Sequence, residues 1–270
     1  MKIATYLKNL QLREKDEYQR LVSSLSAAGN ELCESCGTIP EGTETLLSIG
    51  GDGTFLSAAR MVAGTDIPVL GVNLGRLGFL SEYTPDEVIS DFAAGRYTVE
   101  KRDMLEASVS AFGEGEYCPY ALNEITIHRA GTPMLGINVS LDGVSLPTYW
   151  ADGILVATSS GSTAYALSVG GPICTPDSRV LIIAPISPHN LNLRPLIVPS
   201  STKVHISIIS REKDVQLTLD DRHYTVGSDV VLDISLAQFS LNRIRLDKSN
   251  FIGALKSKLF WGEDVRNEMI

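Results

Sequence analysis

Two hydrophobic rhythms divide the chain. Over the first hundred residues, short and wholly apolar runs alternate with stretches of helical period. Residues 2–6 form the first apolar run, and residues 14–28 place Tyr18, Leu21, Val22 and Leu25 on one stripe. Gly29 and Asn30 end that helix. Residues 45–49 give a second strand that runs into glycines, residues 55–62 a second helix, and residues 68–72 a third strand. Thr84, Pro85, Asp86 and Glu87 then combine a capping box with a first-turn proline. Unbroken apolar strands alternating with helices predict a parallel sheet covered on both faces, a doubly wound, Rossmann-like half.

Beyond residue 101 the period changes to two. Val204, Ile206 and Ile208 alternate with polar positions, as do Val215, Leu217 and Leu219, and then Val230, Leu232 and Ile234. That pattern predicts an antiparallel β-sandwich. Residues 250–260 return to a helical period. The expected fold is therefore α/β plus all-β. An α/β domain covers residues 1–101 and a β-sandwich residues 102–249, and residues 250–270 form a C-terminal helical segment returning toward the first domain.

Composition narrows the function classes. In 270 residues, 44% hydrophobic and 20% charged, the balance is that of a globular protein and excludes collagen or bulk disorder. A net charge of −9 repels polyanions, so neither nucleic acid nor an anionic membrane is an expected partner. A small anionic ligand stays compatible, because backbone N–H groups and a bound metal ion supply positive potential locally. Lys2 and Lys8 flank no apolar core of a signal peptide, and residues 153–176, though uncharged, are broken by Ser, Thr, Gly and Pro. A soluble, cytoplasmic protein is expected. Of the cysteines 33, 36, 118 and 174, only Cys33 and Cys36 make a CxxC, with no second pair at finger spacing, so reduced thiols are expected rather than a zinc or redox site.

The sharpest chemical feature is Gly50-Gly51-Asp52-Gly53-Thr54, between an apolar strand and a helix. The carboxyl ends of strands in an open parallel sheet face the ligand crevice. Glycines let backbone approach a ligand closely, and the following helix N-terminus favours phosphate. Asp52 is out of place among phosphate-binding backbone unless it accepts a proton or holds a metal ion, or unless it merely caps the turn. A Walker-type loop is absent, since no Lys follows any glycine, and the segment from Gly71 to Phe79 departs from GxGxxG spacing. In that segment Asn73 ends a strand, and its glycines either contact a ligand or shape the crevice.

Asn123 and Glu124 interrupt the strand-like run 120–128, either as a pair suited to sugar diols or as a bulge with solvated polar groups. Asp152 precedes a strand at residues 154–157, and the small residues 158–164 followed by Tyr165 offer hydrogen bonds and an aromatic face, or simply a capped turn. No His, Cys, Asp or Glu cluster has metal-ligand spacing, and His189, between Pro188 and Asn190, is expected as a buried turn former.

Together these segments resemble the NAD kinase family. The resemblance rests on GGDGT at residues 50–54, NxGxLGFL at 73–80, Asn123-Glu124, GSTAY at 161–165, and Pro185-Ile186-Ser187-Pro188-His189 with Arg194-Pro195, all in the family's order. GGDGT alone is shared with lipid and sphingoid kinases; the later motifs make the likeness specific. It implies transfer of the γ-phosphoryl group of ATP, accompanied by a divalent ion such as Mg²⁺ that arrives with ATP, to the 2′-hydroxyl of the adenosine ribose of NAD. It implies that Asp52 is the general base and that Gly50, Gly51, Gly53 and Thr54 bind phosphate. It also implies that Asp52, Gly53, Phe79, Asn123, Glu124, Asp152, Thr163, Ala164, Tyr165, Ser168 and Asp220 bind NAD. The first domain would then bind ATP and the sandwich NAD, and the chain would assemble as a homodimer or homotetramer. Trp150 stands where relatives often carry a basic or small residue, and Asp220-Asp221 where Asp-Gly is usual.

Overall fold

A computed structural model describes residues 1–75, 78–113, 115–247 and 250–262. The chain divides into two compact units, one formed by Met1–Lys101 together with the chain from Leu241 onward, the other by Arg102–Ser240. Strands Tyr97–Val109 and Val231–Leu246 each contribute residues to both units.

In the first unit the strands are parallel. Glu31–Glu34 pairs with Lys2–Tyr6, which pairs with Thr45–Ile49, which pairs with Val69–Val72, and Arg243 pairs with Val69 beyond it. Thr45–Ile49 is buried throughout, as a strand covered on both faces should be. The second strand in sequence, Glu31–Glu34, lies outside the first and the third lies on the first's other side, so the strand order reverses between Lys2–Tyr6 and Thr45–Ile49. In open α/β sheets ligands bind at such a reversal, beyond the carboxyl ends of the strands. Helix Asp16–Ala27 buries Tyr18, Leu21 and Leu25 in the same core as Ile3, Leu47, Leu70 and Ile244. The capping box forms as expected: the Thr84 side chain accepts the Glu87 N–H, and the Glu87 carboxylate accepts the Thr84 N–H at 2.8 Å. The α-helix it starts lasts only through Pro85–Glu87 and widens into a π-helical turn over Val88–Phe92.

The second unit is the expected sandwich. One antiparallel sheet runs in the order Leu196–Pro199, Val180–Ile186, Gly153–Thr158, Glu124–Arg129, Asp214–Leu219, Arg222–Gly227. Facing side chains such as Ile125, Ile127, Val156, Leu217, Ile137, Ile206 and Leu232 fill its core. The run 120–128 is split into Tyr120–Ala121 and Glu124–Arg129 by an interruption at residues 122 and 123. Helix Phe251–Leu259, capped by the Asn250 side chain accepting the Gly253 N–H at 2.7 Å, belongs to the first unit. Among the described residues no helix is long and apolar enough to cross a membrane.

Candidate functional site

In the first unit the site is built on a sharp turn. Strand Thr45–Ile49 ends in Gly50, and helix Asp52–Met61 starts two residues later, so Asp52 occupies its first turn, three residues earlier than the apolar pattern predicts. Side chains added at Gly51 and Gly53 would meet nothing within 4 Å, which leaves this backbone open to a ligand. Thr54 is buried, and its hydroxyl lies where a Cβ on Gly50 would go.

The Asp52 carboxylate is held by a distant loop. Oδ1 accepts the N–H groups of Leu80 at 3.0 Å and Ser81 at 2.9 Å, and Oδ2 accepts that of Phe79 at 2.9 Å. A carboxylate oxygen has two lone pairs. Among the described residues, Oδ1 is thus filled and Oδ2 keeps one for another donor. Gly78 is required here, since a Cβ on it would stand 1.9 Å from Oδ1. Asn73 braces the same loop, with its Oδ1 accepting the Gly75 N–H at 2.7 Å and its amide reaching Ser81 O at 3.5 Å. Arg76 and Leu77 of the NxGxLGFL segment lie outside the described residues.

On the far side of the loop stand two cations whose part in it the sequence pattern did not reveal. Arg243 is buried and its guanidinium donates to Phe79 O at 3.4 Å and Leu80 O at 3.3 Å, while pairing with Glu82 at 2.6 Å and Glu100 at 2.8 Å. Lys258 donates to Gly78 O and lies 5.1 Å from the centre of the Phe79 ring. Burial draws the Lys258 ammonium below the usual lysine range, against the pull of the Glu82 and Asp52 carboxylates. The one clue to Arg243 is its place inside the run Leu241 to Leu246, where an arginine must find partners to be buried at all.

The second unit repeats the device. The Asp220 carboxylate accepts the N–H groups of Leu122 at 2.7 Å, Asn123 at 2.8 Å and Glu124 at 3.2 Å. Asp220 adopts a left-handed φ of 52° while its own N–H donates to Glu124 O at 3.0 Å. Burial pushes its carboxyl above the usual range, against these amides and the nearby Arg222. The carboxylate therefore turns inward to shape the interruption that presents Asn123 and Glu124. That interruption is a bulge, but not a solvated one: Asn123 is 8% and Glu124 9% exposed. Glu124 is pushed up to about 8 by burial first and by Asp220 second, against the backbone N–H of Tyr165. Its Oε2 has no hydrogen-bond partner among the described residues. Near neutral pH this group is largely a neutral acid, able to donate from one oxygen and accept at the other.

GSTAY folds as a 3-10 turn over Ser160–Thr163 and a single helical turn over Tyr165–Ser168. Gly161 lets this turn press on the bulge, since a Cβ there would lie 2.2 Å from Asn123 O. Thr163 and Ala164 are half-buried, whereas Tyr165 and Ser168 are exposed. Asn123, Glu124, Asp220 and Tyr165 are thus brought together. Asp152 is not among them. The pairing of Ala157 with Glu124 and of Gly153 with His128 puts it five residues along the strand pair from Glu124, roughly 17 Å at the rise of an antiparallel strand. There it pairs with Arg129 at 2.6 Å. His189 is exposed, contrary to expectation, and its backbone N–H donates to Trp150 O at 2.8 Å. The four cysteines are free thiols.

Among the described residues no group of three or more His, Cys, Asp or Glu side chains is placed to hold a metal ion. The single carboxylate of the glycine turn has most of its accepting capacity committed to amides, so the donor set does not fit a protein-held ion.

Two family models match the chain: the ATP-NAD kinase N-terminal domain over residues 4–95 and the ATP-NAD kinase C-terminal domain over residues 122–246. An NAD kinase of Flavobacterium psychrophilum is 41% identical over 229 residues, covering 83% of this chain and 78% of its own length. One from Porphyromonas gingivalis is 41% identical over 239 residues, covering 87% and 82%. Among solved structures, an Archaeoglobus fulgidus NAD kinase in complex with ATP aligns with a TM-score of 0.80 at 26% identity, over 95% of this chain and 99% of its own. A yeast NADH kinase complexed with NADH aligns at 0.82 and 23% identity, over 97% and 88%, a likeness of fold.

Proposed function

The chain belongs to the NAD kinase family and has that family's activity, and on that premise we propose how its own residues divide the work. Asp52 is the general base. The free lone pair on Oδ2 accepts the proton of the ribose 2′-hydroxyl as the new O–P bond forms and the bond between the γ-phosphorus and the β–γ bridging oxygen breaks, releasing ADP. Phosphoryl transfer passes through a loose transition state in which the nucleophile loses its proton late, so a carboxylate of modest basicity suffices if it is well aimed. The backbone of the turn, buried at Gly50 and exposed at Gly51 and Gly53, and the helix N-terminus at Thr54 receive the phosphates of the metal–ATP complex, which is a substrate taken up whole.

In the second unit Asn123 and Glu124 hold ribose hydroxyls, a buried acid being able to donate to one oxygen and accept from another. Thr163, Ala164, Tyr165 and Ser168 form the adenine and ribose contacts, and Phe79 offers an apolar face to NAD. Asp152, five residues along from Glu124, serves the nicotinamide half of the extended dinucleotide. Asp220 supports Asn123 and Glu124 through the backbone rather than touching NAD. Self-association as a homodimer or homotetramer belongs to the same proposal and is supported by Trp150, Leu191, Leu196 and Ile197, exposed apolar side chains of the second unit; sedimentation of the purified chain tests it.

The observation that carries the reading of Asp52 is its carboxylate, fixed by three amides with one acceptor position left on Oδ2. The purified protein is expected to form NADP from NAD, ATP and Mg²⁺. Asp52→Asn is expected to lower turnover by about 10² to 10⁴ while NAD affinity changes only a few-fold. Turnover equal to that of the unaltered protein would remove Asp52 from the mechanism.

A further inference from the structure

The loop that holds Asp52 is polarised from behind. Each of its three consecutive peptide groups donates its N–H to the carboxylate and accepts at its C=O from a cation. The peptide joining Gly78 to Phe79 runs from Lys258 to Oδ2, and the next two run from Arg243 to Oδ1. The two cations differ in how their charge is used. Arg243 is buried between Glu82 and Glu100 and is neutralised by them. Lys258 comes from the helix Phe251–Leu259 and has Glu82 only at 3.9 Å. It is also placed over the ring of Phe79, the residue whose N–H defines which lone pair of Oδ2 stays open.

We propose that Lys258 is a positioning residue for phosphoryl transfer: by holding the Gly78 carbonyl and the Phe79 ring it fixes the peptide that donates to Asp52 Oδ2, and so aims the remaining lone pair at the hydroxyl. The inference rests on the reading of Asp52 as general base. It assigns to the C-terminal helix a part in the chemistry that the glycine turn does not supply for itself. A carboxylate whose direction drifts loses rate without losing affinity, because misalignment is felt where the proton moves and not where the dinucleotide is gripped.

The test is a double-mutant cycle between Lys258→Met and Asp52→Asn, scored by kcat and KM for NAD and ATP and accompanied by thermal melts. Lys258→Met is expected to lower kcat about tenfold with both KM values within about threefold, and Lys258→Arg, which can still donate to Gly78 O and lie over the ring, to recover most of that loss. In the Asp52→Asn background the same change is expected to cost less than about twofold, since the group being aimed is gone. Lys258→Gln, which keeps a donor without charge, stands in if the Met variant fails to fold, and is expected to lose rate by less. Equal fold-losses in the two backgrounds, or an unchanged kcat in a folded variant, would overturn the role of Lys258. If instead Asp52→Asn alone keeps full turnover, it is the reading of Asp52 that fails, whatever Lys258 does.

Discussion

The two units hold an aspartate in the same way and surround it differently. Asp52 accepts from residues 79–81 and Asp220 from residues 122–124, three successive amides in each case. Behind the first set the carbonyls face Lys258 and Arg243. Behind the second, two of the carbonyls face neutral donors: Leu122 O accepts the Thr158 hydroxyl at 2.6 Å and Asn123 O the Thr158 N–H at 2.9 Å. Cations behind the amides favour a negative charge in front of them, and neutral donors favour it less. Asp220 is raised by burial, against the Arg222 guanidinium that donates to the carbonyls of Cys118 and Tyr120 just before the loop, and it helps to raise Glu124; we assign it a structural place. On the proposed reading, one backbone device serves two ends: in the first unit it aims the accepting oxygen of Asp52, and in the second it fixes a bulge.

The comparison breaks most sharply at Gly78. A Cβ there would coincide with the Asp52 carboxylate, at 1.9 Å from Oδ1 and 2.6 Å from Oδ2. Gly78→Ala must expel that side chain from its amides. Turnover is expected to fall by about 10³, as for loss of the base itself, with a stability cost of about 2 kcal/mol. Steady-state rates and a urea melt measure the two effects, and an active Gly78→Ala enzyme would show that the clamp is dispensable.

Asp220→Ala probes the second clamp and should reverse the proportion. Three inward-facing N–H groups lose their acceptor, so stability is expected to fall by about 3 kcal/mol. Once the protein is held folded at low temperature, kcat is expected to change less than KM for NAD, because the bulge presents the groups proposed to bind the dinucleotide. A kcat loss as deep as that of Gly78→Ala, with KM unmoved, would make the two clamps equivalent.

Neither clamp was legible in the sequence, although most of the framework was. Thr45–Ile49, Val204–Ile209 and Asp214–Leu219 follow from periodicity because each strand's burial has one simple geometry. Glu31–Glu34 was missed, its two apolar positions being flanked by glutamates on the edge of the sheet. Helix Asp52–Met61 begins before its apolar stripe, because its first turn is devoted to backbone presentation rather than packing. The candidate residues could be picked out as unusual where polar side chains interrupted a pattern, as Asp52, Asn123 and Glu124 do. What they touch could not. The partners of Asp52 lie 27 to 29 residues away, those of Asp220 96 to 98, and Lys258 is 180 residues from the carbonyl it holds. Period and propensity are local, and such contacts leave no trace in them.

A third prediction concerns charge. Glu124 is raised from an ordinary value near 4.5 to about 8, so the folded state binds its proton more tightly than the unfolded chain does. The stability this gives is fully present below about pH 4.5 and is lost as pH rises through about 8. Glu124→Gln, which keeps the shape and removes the titration, is expected to flatten that decline and to be more stable than the unaltered protein above pH 8 by about 2 kcal/mol. Urea midpoints taken across that interval decide it. Parallel curves for the two proteins would mean that the carboxyl titrates as an exposed one does.

The smallest effect sharpens the contrast most directly, because it removes the neutral hydroxyl behind an amide and leaves the charges in place. Thr158→Val removes the hydroxyl that donates to Leu122 O at 2.6 Å and accepts the Gly161 N–H at 3.2 Å, with little change in volume. The lost bonds are buried but neutral, so a stability cost of about 1 to 2 kcal/mol is expected, with kcat nearly unchanged and KM for NAD raised about twofold as the bulge relaxes. Lys258→Met makes the matching change behind Asp52 and is expected to act in the opposite sense, on kcat with KM nearly fixed. If both substitutions moved the same kinetic constant, what stands behind the amides would carry no functional distinction, and the two clamps would differ only in their addresses along the chain.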